Sequence, residues 1–326
     1  MWIGYNVVLA VGLVIDLFIL QHKDHVVSIK EGVFRSLLWT GVAAGVGVWI
    51  YLEGGSQAGG EYVTSYVIER ALSVDNLFVF LVIFAYFKVP QQYQARALTL
   101  GILGALVTRA VFIIIGVAAI SAFQPVLYIL GAFLVFTGLK IGLSHNKEVD
   151  PRKNLIFKIA NRFYKVTDSY DGHKFFTVKN GVKMMTPFLL VILVIESTDV
   201  LFAVDSVPSV LAITTDGFIV WASNTMAVLG LRPLYFVLAG MVQLFRYLQY
   251  GLAVILVFVG AKMIFNELDH QLHWDIGIDK NMQTYGSLGV ILLVLAGSVL
   301  MSKIIPVKPG AGHGAPSADA TGSGHA

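Results

Sequence analysis

The sequence contains no cysteine and few charged residues for its length of 326. The absence of cysteine excludes disulfides, thiolate metal sites and cysteine nucleophiles. Charged residues make up 13% of the chain, whereas about a quarter is usual in a soluble domain. Hydrophobic residues make up 56%, gathered into runs of about 20, the length that spans the hydrocarbon core of a bilayer. The composition predicts a protein embedded in lipid, and the net charge of +3 gives no reason to expect a nucleic-acid partner.

Nine apolar windows predict an all-α fold, a polytopic membrane helical bundle of about nine transmembrane helices. The windows are 2–20, 33–52, 66–87, 97–120, 125–144, 186–212, 218–242, 247–266 and 284–303. The first window has no charged n-region and no small-residue cleavage site. We therefore interpret it as a retained span and not as a signal peptide.

The basic residues are concentrated in alternate loops of this arrangement. The loop 145–185 alone contains nine Lys and Arg residues, whereas the loops on the opposite side are acidic. Those acidic loops contain Glu53, Glu61, Glu267, Asp269, Asp275 and Asp279. The positive-inside rule then predicts an N-terminus outside the cell and a C-terminus in the cytoplasm.

The basic loop 145–185 is the only sizeable soluble segment that the sequence predicts. Its apolar residues at helical spacing indicate either a helix on the cytoplasmic surface or an ordinary amphipathic linker; they are Leu155, Ile159, Phe163 and Val166. Residues 175–182 predict a β-hairpin that turns at Asn180-Gly181. The tail 306–326 is rich in Gly, Ala, Ser and His from Pro309 onward, a composition that predicts disorder.

Two segments of the sequence resemble each other, and each contains Ser-x-Asp-x-Leu-Phe within an apolar run. The aspartates are Asp75 and Asp199. An arginine follows them after 34 and 33 residues, and a lysine after 65 and 63 residues. These basic residues are Arg109 and Lys140 in the first copy, and Arg232 and Lys262 in the second. Each copy covers three spans, so the second has the opposite orientation, and such three-plus-three inverted repeats are a recurring transporter design.

The repeat divides the chain into six parts. Residues 1–65 form two N-terminal helices and an outer loop, 66–144 repeat one, 145–185 the cytoplasmic basic loop, 186–266 repeat two, 267–305 an outer loop and the last span, and 306–326 the tail.

Five carboxylates are predicted well within the spans, where each costs on the order of 3 kcal/mol on insertion scales. They are Glu69, Asp75, Glu196, Asp199 and Asp205. They must face the bundle interior and find partners, and the four basic residues of the repeat are the candidates for charge balance. Structural ion pairing alone is one interpretation of this set. It leaves a surplus acid with further polar groups nearby, namely Ser73, Asn76, Ser206 and Asn224.

An oxygen-rich, thiol-free set of this kind suits hard cations such as Mg²⁺, Ca²⁺ and Mn²⁺. Glu196 and Asp199 are three residues apart and share a helical face, whereas Asp205 lies on the opposite side of an ideal helix. Pro208 predicts a kink or an unwound segment that could bring Asp205 and Ser206 toward the same cavity. The sequence has no His-Glu-x-x-His and no Walker A motif, so we expect neither an intramembrane protease nor an ATP-driven pump.

At these residues the sequence resembles the TerC family of integral membrane proteins, and it looks most like the Alx-like branch. The similar motifs are Glu69-Arg-Ala-Leu-Ser-Val-Asp75-Asn76-Leu-Phe, Lys174-Phe-Phe-Thr-Val, Thr186-Pro187 and Glu196-Ser-Thr-Asp-Val-Leu-Phe-Ala-Val-Asp205-Ser-Val-Pro208. Ser209 departs from the alanine expected after the last motif. The resemblance covers roughly residues 1–305. It implies a multi-pass protein of the bacterial cytoplasmic (inner) membrane, linked to metal-ion homeostasis, chiefly manganese export, and to tellurite resistance.

The sequence hypothesis is a secondary exporter of a divalent cation, with Mn²⁺ as first candidate and protons as a candidate coupling ion. We expect this protein to have no enzymatic activity and no permanently bound cofactor. The expected metal ligands are Glu69, Asp75, Asn76, Glu196, Asp199 and Asp205. The alternative is a non-transport membrane component of a tellurite or metal-stress resistance complex that docks partners through the basic loop.

Overall fold

The computed structural model describes residues 1–15, 28–143, 166–167, 169–179, 182–241, 247–272 and 280–305. Within these ranges, the side chains of Asp75, Lys179, Asp205, Met241, His270, Gln271, Leu272, Lys280 and Asn281 are not described. The predicted surface helix at 155–166 lies almost wholly outside the described residues, as do the Asn180-Gly181 turn and the tail 306–326.

The described chain is a bundle of helices with one small hairpin. The helices are α1 Trp2–Val14, α2 Ile29–Tyr86, α3 Gln91–Ala122, α4 Val126–Leu143, α5 Pro187–Leu211, α6 Gly217–Leu229, α7 Leu231–Met241, α8 Leu248–Leu272 and α9 Lys280–Ile304, with strands β1 Phe176–Lys179 and β2 Val182–Met185 between α4 and α5. By length and composition, five helical stretches in this part of the chain are apolar enough to cross a membrane: Gln91–Ala122, Val126–Leu143, Pro187–Leu211, Leu248–Asp269 and Met282–Ile304.

Helix α2 is a hairpin of two helical arms, because the chain reverses at Gly55. The backbone there has φ 79° and ψ −174°, which is not helical. The Tyr62 hydroxyl donates to the Ala43 carbonyl at 3.0 Å, although 19 residues of straight helix would separate the two by about 28 Å. The arms, 29–54 and 56–86, contain the predicted spans 33–52 and 66–87. The predicted outer loop between those spans is wrong, since the second arm is helical from its start.

The turn at Gly55 gives a test of this hairpin. A backbone with positive φ and extended ψ is essentially restricted to glycine, so Gly55→Ala should destabilise the protein by about 1 kcal/mol or more. Gly41→Ala is the matched control, because a Cβ at Gly41 meets nothing within 4 Å and alanine is favoured in a helix. Thermal unfolding in detergent measures both, and equal midpoints for the two variants would contradict the reversal at Gly55.

The predicted span 218–242 is two helices, because α6 ends and α7 begins at Gly230. The guanidinium of Arg70 fills the space that a side chain at position 230 would need. Its Nη1 donates to the carbonyl of Ala227, 3.1 Å away, in the last turn of α6. Its Nη2 donates to Ser36 Oγ at 3.1 Å. Carbonyls at a helix end lack intrahelical partners, so Arg70 stabilises the break by capping α6.

Helix α5 follows directly from the hairpin. Its strands are antiparallel with Lys179 opposite Val182, which confirms the predicted hairpin and leaves two residues for the turn. Thr186 accepts a hydrogen bond from the backbone N–H of Leu189, and Pro187 occupies the first turn, as is usual at a helix start. The apolar core lies between the second arm of α2 and helices α3, α5, α7 and α8.

Helices α4 and α8 pack with their backbones close together at two contacts, which involve three glycines. A Cβ on Gly260 would lie 2.6 Å from the carbonyl oxygen of Gly131. A Cβ on Gly138 would lie 2.7 Å from the carbonyl oxygen of Ala253. Small residues at these positions let the two membrane helices approach.

Candidate functional site

Three buried polar residues from three helices meet around the guanidinium of Arg109, which stands on a fourth helix. Its Nη1 donates to Glu69 Oε1 and, at 3.0 Å, to Asn224 Oδ1. Its Nη2 lies 3.7 Å from Asp199 Oδ1, an ion-pair separation. The exposed fractions are 0% for Glu69, Arg109 and Asn224, and 2% for Asp199. These residues, here called the Arg109 cluster, join α2, α3, α5 and α6.

The cluster holds two carboxylates and one guanidinium, so its formal charge is −1 when both acids are ionised. One oxygen of each carboxylate, Glu69 Oε2 and Asp199 Oδ2, makes no hydrogen bond among the described residues. The same holds for Asn224 Nδ2 and for Arg109 Nε and Nη2. A buried polar atom without a partner costs about 1–3 kcal/mol in proteins. The cluster is therefore incompletely satisfied and carries spare oxygen ligands.

Glu196 lies one helical turn before Asp199 on α5 and is partly buried. Its carboxylate occupies the space that a side chain at position 104 of α3 would need, so a larger residue there would have to displace this acid. Gly104 thus creates a recess in α3 that receives this acid. Sequence reasoning identified Glu196 but missed Gly104, since nothing in the sequence showed which helix would face it.

Ser73, Asn76 and Ser206 are buried, with exposed fractions of 0%, 4% and 2%. Ser73 and Asn76 lie on the same α2 arm as Glu69, and Ser206 lies seven residues after Asp199 on α5. The backbones at positions 75 and 205 are helical, but the two aspartate side chains lie outside the description. Convergence of Asp75 with Asp199 therefore stays a prediction.

The predicted break at Pro208 is not observed, because α5 continues through this residue to Leu211. The proline stands in the last turn, so few residues follow it within the helix. Its carbonyl still accepts the N–H of Ala212 at 3.0 Å. The loss of one backbone bond so near the end does not unwind the helix.

The structure brings only one of the four predicted charge-balancing residues to the described carboxylates of the cluster, namely Arg109. Lys140 is exposed in the last turn of α4, where a long side chain can extend toward the interface. Lys262 Nζ donates to the Gln283 carbonyl at 3.1 Å and to Ser287 Oγ at 2.7 Å, both on α9. Arg232 is buried in the first turn of α7, with an exposed fraction of 3%. The two lysines are therefore less buried than the two arginines, although they hold equivalent positions in the proposed repeat.

Among the described side chains, no group of three or more His, Asp or Glu residues is close enough to hold a metal ion. The side chains of two of the six predicted ligands, Asp75 and Asp205, are not among those described. The metal site consequently remains a prediction, and the Arg109 cluster is the part of it that has a defined geometry.

The apolar helices and the buried ion cluster define the class: an integral, multi-pass membrane protein. The model of the integral membrane protein TerC family matches residues 54–308, and the chain belongs to this family. The resemblance found in the sequence is thereby confirmed.

Curated relatives agree with this assignment. An uncharacterised membrane protein of Myxococcus xanthus is 45% identical over 263 residues, covering 81% of this chain and 82% of its own. The putative membrane-bound redox modulator Alx of Escherichia coli strain K12 is 43% identical over 279 residues, covering 83% and 87%. An uncharacterised membrane protein of Rickettsia bellii is 36% identical over 304 residues, covering 93% and 98%. No solved structure matches the chain.

Proposed function

We propose that the protein is a secondary transporter that exports a divalent metal cation, with Mn²⁺ as first candidate and protons as the coupling ion. The observation that carries this proposal is the Arg109 cluster, where two buried carboxylates share one guanidinium and each keeps an oxygen without a hydrogen bond among the described residues. A purely structural ion pair would be expected to satisfy those oxygens, because unpaired polar atoms in a membrane interior are costly.

The chemistry of the cluster favours a hard cation. Its spare ligands are carboxylate oxygens, which Mg²⁺, Ca²⁺ and Mn²⁺ prefer, and the sequence has no cysteine for softer metals. A bound divalent cation would turn the formal charge from −1 to +1. Asp75, Asp205 and Glu196 are the acids that could offset this, by ligation or by exchanging protons.

The inverted repeat remains part of the proposal, and the contact between α4 and α8 supports it. Aligning Lys140 with Lys262 places Gly138 opposite Gly260, and Gly131 opposite Ala253. The pair Gly131–Gly260 then maps onto Ala253–Gly138, and both pairs are close contacts between α4 and α8. A pseudo-twofold axis between the helices accounts for both contacts at once. The nine spans, the outside N-terminus and the bacterial inner membrane belong to the same proposal.

Uptake by proteoliposomes tests the transport function. Purified protein is reconstituted around a fluorophore that Mn²⁺ quenches, and Asp199→Asn is expected to lower the initial rate by at least about 10-fold, the scale on which altered metal surroundings act. Asp216→Asn is the matched control. Asp216 caps α6 by accepting from the N–H groups of Phe218 and Ile219, and asparagine caps equally well, so its rate should equal that of the wild type.

A wild-type protein that moves no divalent cation would exclude transport and favour the stress-complex alternative. A wild-type rate in Asp199→Asn would instead show that cations cross without the Arg109 cluster. Parallel assays with Mg²⁺, Ca²⁺ and Mn²⁺ identify the cargo.

A further inference from the structure

Hydroxyl groups in the helices of this protein generally donate to the carbonyl one turn earlier. Thr64 donates to Gly60, Thr99 to Ala95 and Thr198 to Val194, at 2.7–3.0 Å. Ser298 donates to Val294 at 2.8 Å. This back-bond is the local way to satisfy a hydroxyl where no water is present.

Three buried serines of the described helices depart from this pattern. The Oγ atoms of Ser65, Ser73 and Ser206 make no hydrogen bond within the described part of the chain. Ser65 and Ser73 are fully buried, and Ser206 is 2% exposed. Each could in principle form the same back-bond, so their unpartnered state sets them apart from the other helical hydroxyls.

The three serines are aligned with the acids of the Arg109 cluster. Ser65 and Ser73 lie four residues before and four residues after Glu69, hence on one face of α2 and about 6 Å along the axis on either side. Ser206 lies seven residues after Asp199, two turns along the same face of α5. Unpartnered oxygens therefore continue the line of the cluster carboxylates along both helices.

We propose that Ser65 and Ser73 are neutral oxygen ligands that pass the cation to and from Glu69, an inference that rests on the proposed transport function. A hydroxyl oxygen is a ligand type that hard cations accept. Because it is uncharged, it can hold a partly dehydrated cation briefly without trapping it, whereas the acids provide the main site. Steps of one helical turn let the ion exchange one ligand for the next, and Ser206 extends the same path on α5.

Ser65→Ala and Ser73→Ala test this inference, with Thr64→Val as the matched control from the adjacent position. Both serine variants should lower the rate of Mn²⁺ uptake several-fold while the thermal midpoint stays equal or rises, because the lost hydroxyl had no partner among the described residues. Thr64→Val should leave the rate of Mn²⁺ uptake at the wild-type value but lower the thermal midpoint, since it removes a formed hydrogen bond that lies away from the path.

This inference alone would be overturned if both serine variants took up Mn²⁺ at the wild-type rate while the wild-type protein and Asp199→Asn behaved as proposed. A lowered midpoint that accompanies a lowered rate would also overturn it, because the hydroxyls would then be structural. A wild-type protein that takes up none of Mg²⁺, Ca²⁺ and Mn²⁺ would overturn the transport function and this inference with it.

Discussion

Arg109→Met is expected to lower the free energy of unfolding by about 3–5 kcal/mol, the usual cost of removing one partner from a buried ion pair. The change removes the guanidinium that pairs with the buried carboxylates of Glu69 and Asp199. It also removes the donor to Asn224. Methionine conserves much of the side-chain volume, so lost charge and hydrogen bonds, and not a cavity, should dominate the effect. Reversible unfolding in mixed micelles measures it.

Lys174→Met is the control for Arg109→Met. Lys174 pairs with Asp171 at 3.1 Å, but its side chain is 67% exposed. Exposed pairs contribute only about 0–1 kcal/mol. A loss no larger in Arg109→Met than in Lys174→Met would contradict the buried pairing.

Charge compensation separates electrostatics from packing. The triple variant Arg109→Met, Glu69→Gln, Asp199→Asn has no uncompensated charge in the cluster, and it should regain much of the lost stability. Uptake of Mn²⁺ should stay low in the same variant, because the carboxylates are gone. Stability without transport is the combination that a merely structural cluster would not produce.

Much of this molecule follows from its sequence, and the failures have specific causes. Hydropathy located the apolar helices, and the motif around Asp199 led to the family. Hydropathy could not show that the second arm of α2 is helical from residue 56 onward, because polar and glycine-rich residues between two apolar runs can be either helix or loop. It also did not show that the Lys140 side chain is exposed, since a count along the chain does not give the burial of a side chain.

The partners within the cluster were beyond sequence reasoning for a different reason. Glu69 and Asn224 are separated from Arg109 by 40 and 115 residues. Which acid faces which arginine depends on the rotation of each helix about its own axis. Arg70 illustrates the same limit: it stands next to Glu69 in sequence but caps α6 at Ala227.

The second large expected effect is on stability and concerns the contacts Gly131–Gly260 and Gly138–Ala253, here called the seam between α4 and α8. Gly138→Ala and Gly260→Ala should each destabilise the protein by about 1–3 kcal/mol, as overpacking of a tight interface does. In both cases the new methyl group would meet a backbone carbonyl oxygen, which cannot move aside as a flexible side chain can. Gly297→Ala in α9 is the control, because its Cβ would meet nothing within 4 Å.

The double variant tests whether the two contacts belong to one pseudo-symmetric seam. If α4 and α8 separate as rigid helices, the displacement that admits one methyl group makes room for the other. The double variant should then lose less stability than the sum of the single losses, as expected for coupled positions. Strict additivity would mean that the two contacts yield independently, and the pseudo-twofold interpretation would lose its support. Because this seam joins the two proposed repeats, Mn²⁺ uptake should fall in both single variants and remain normal in Gly297→Ala.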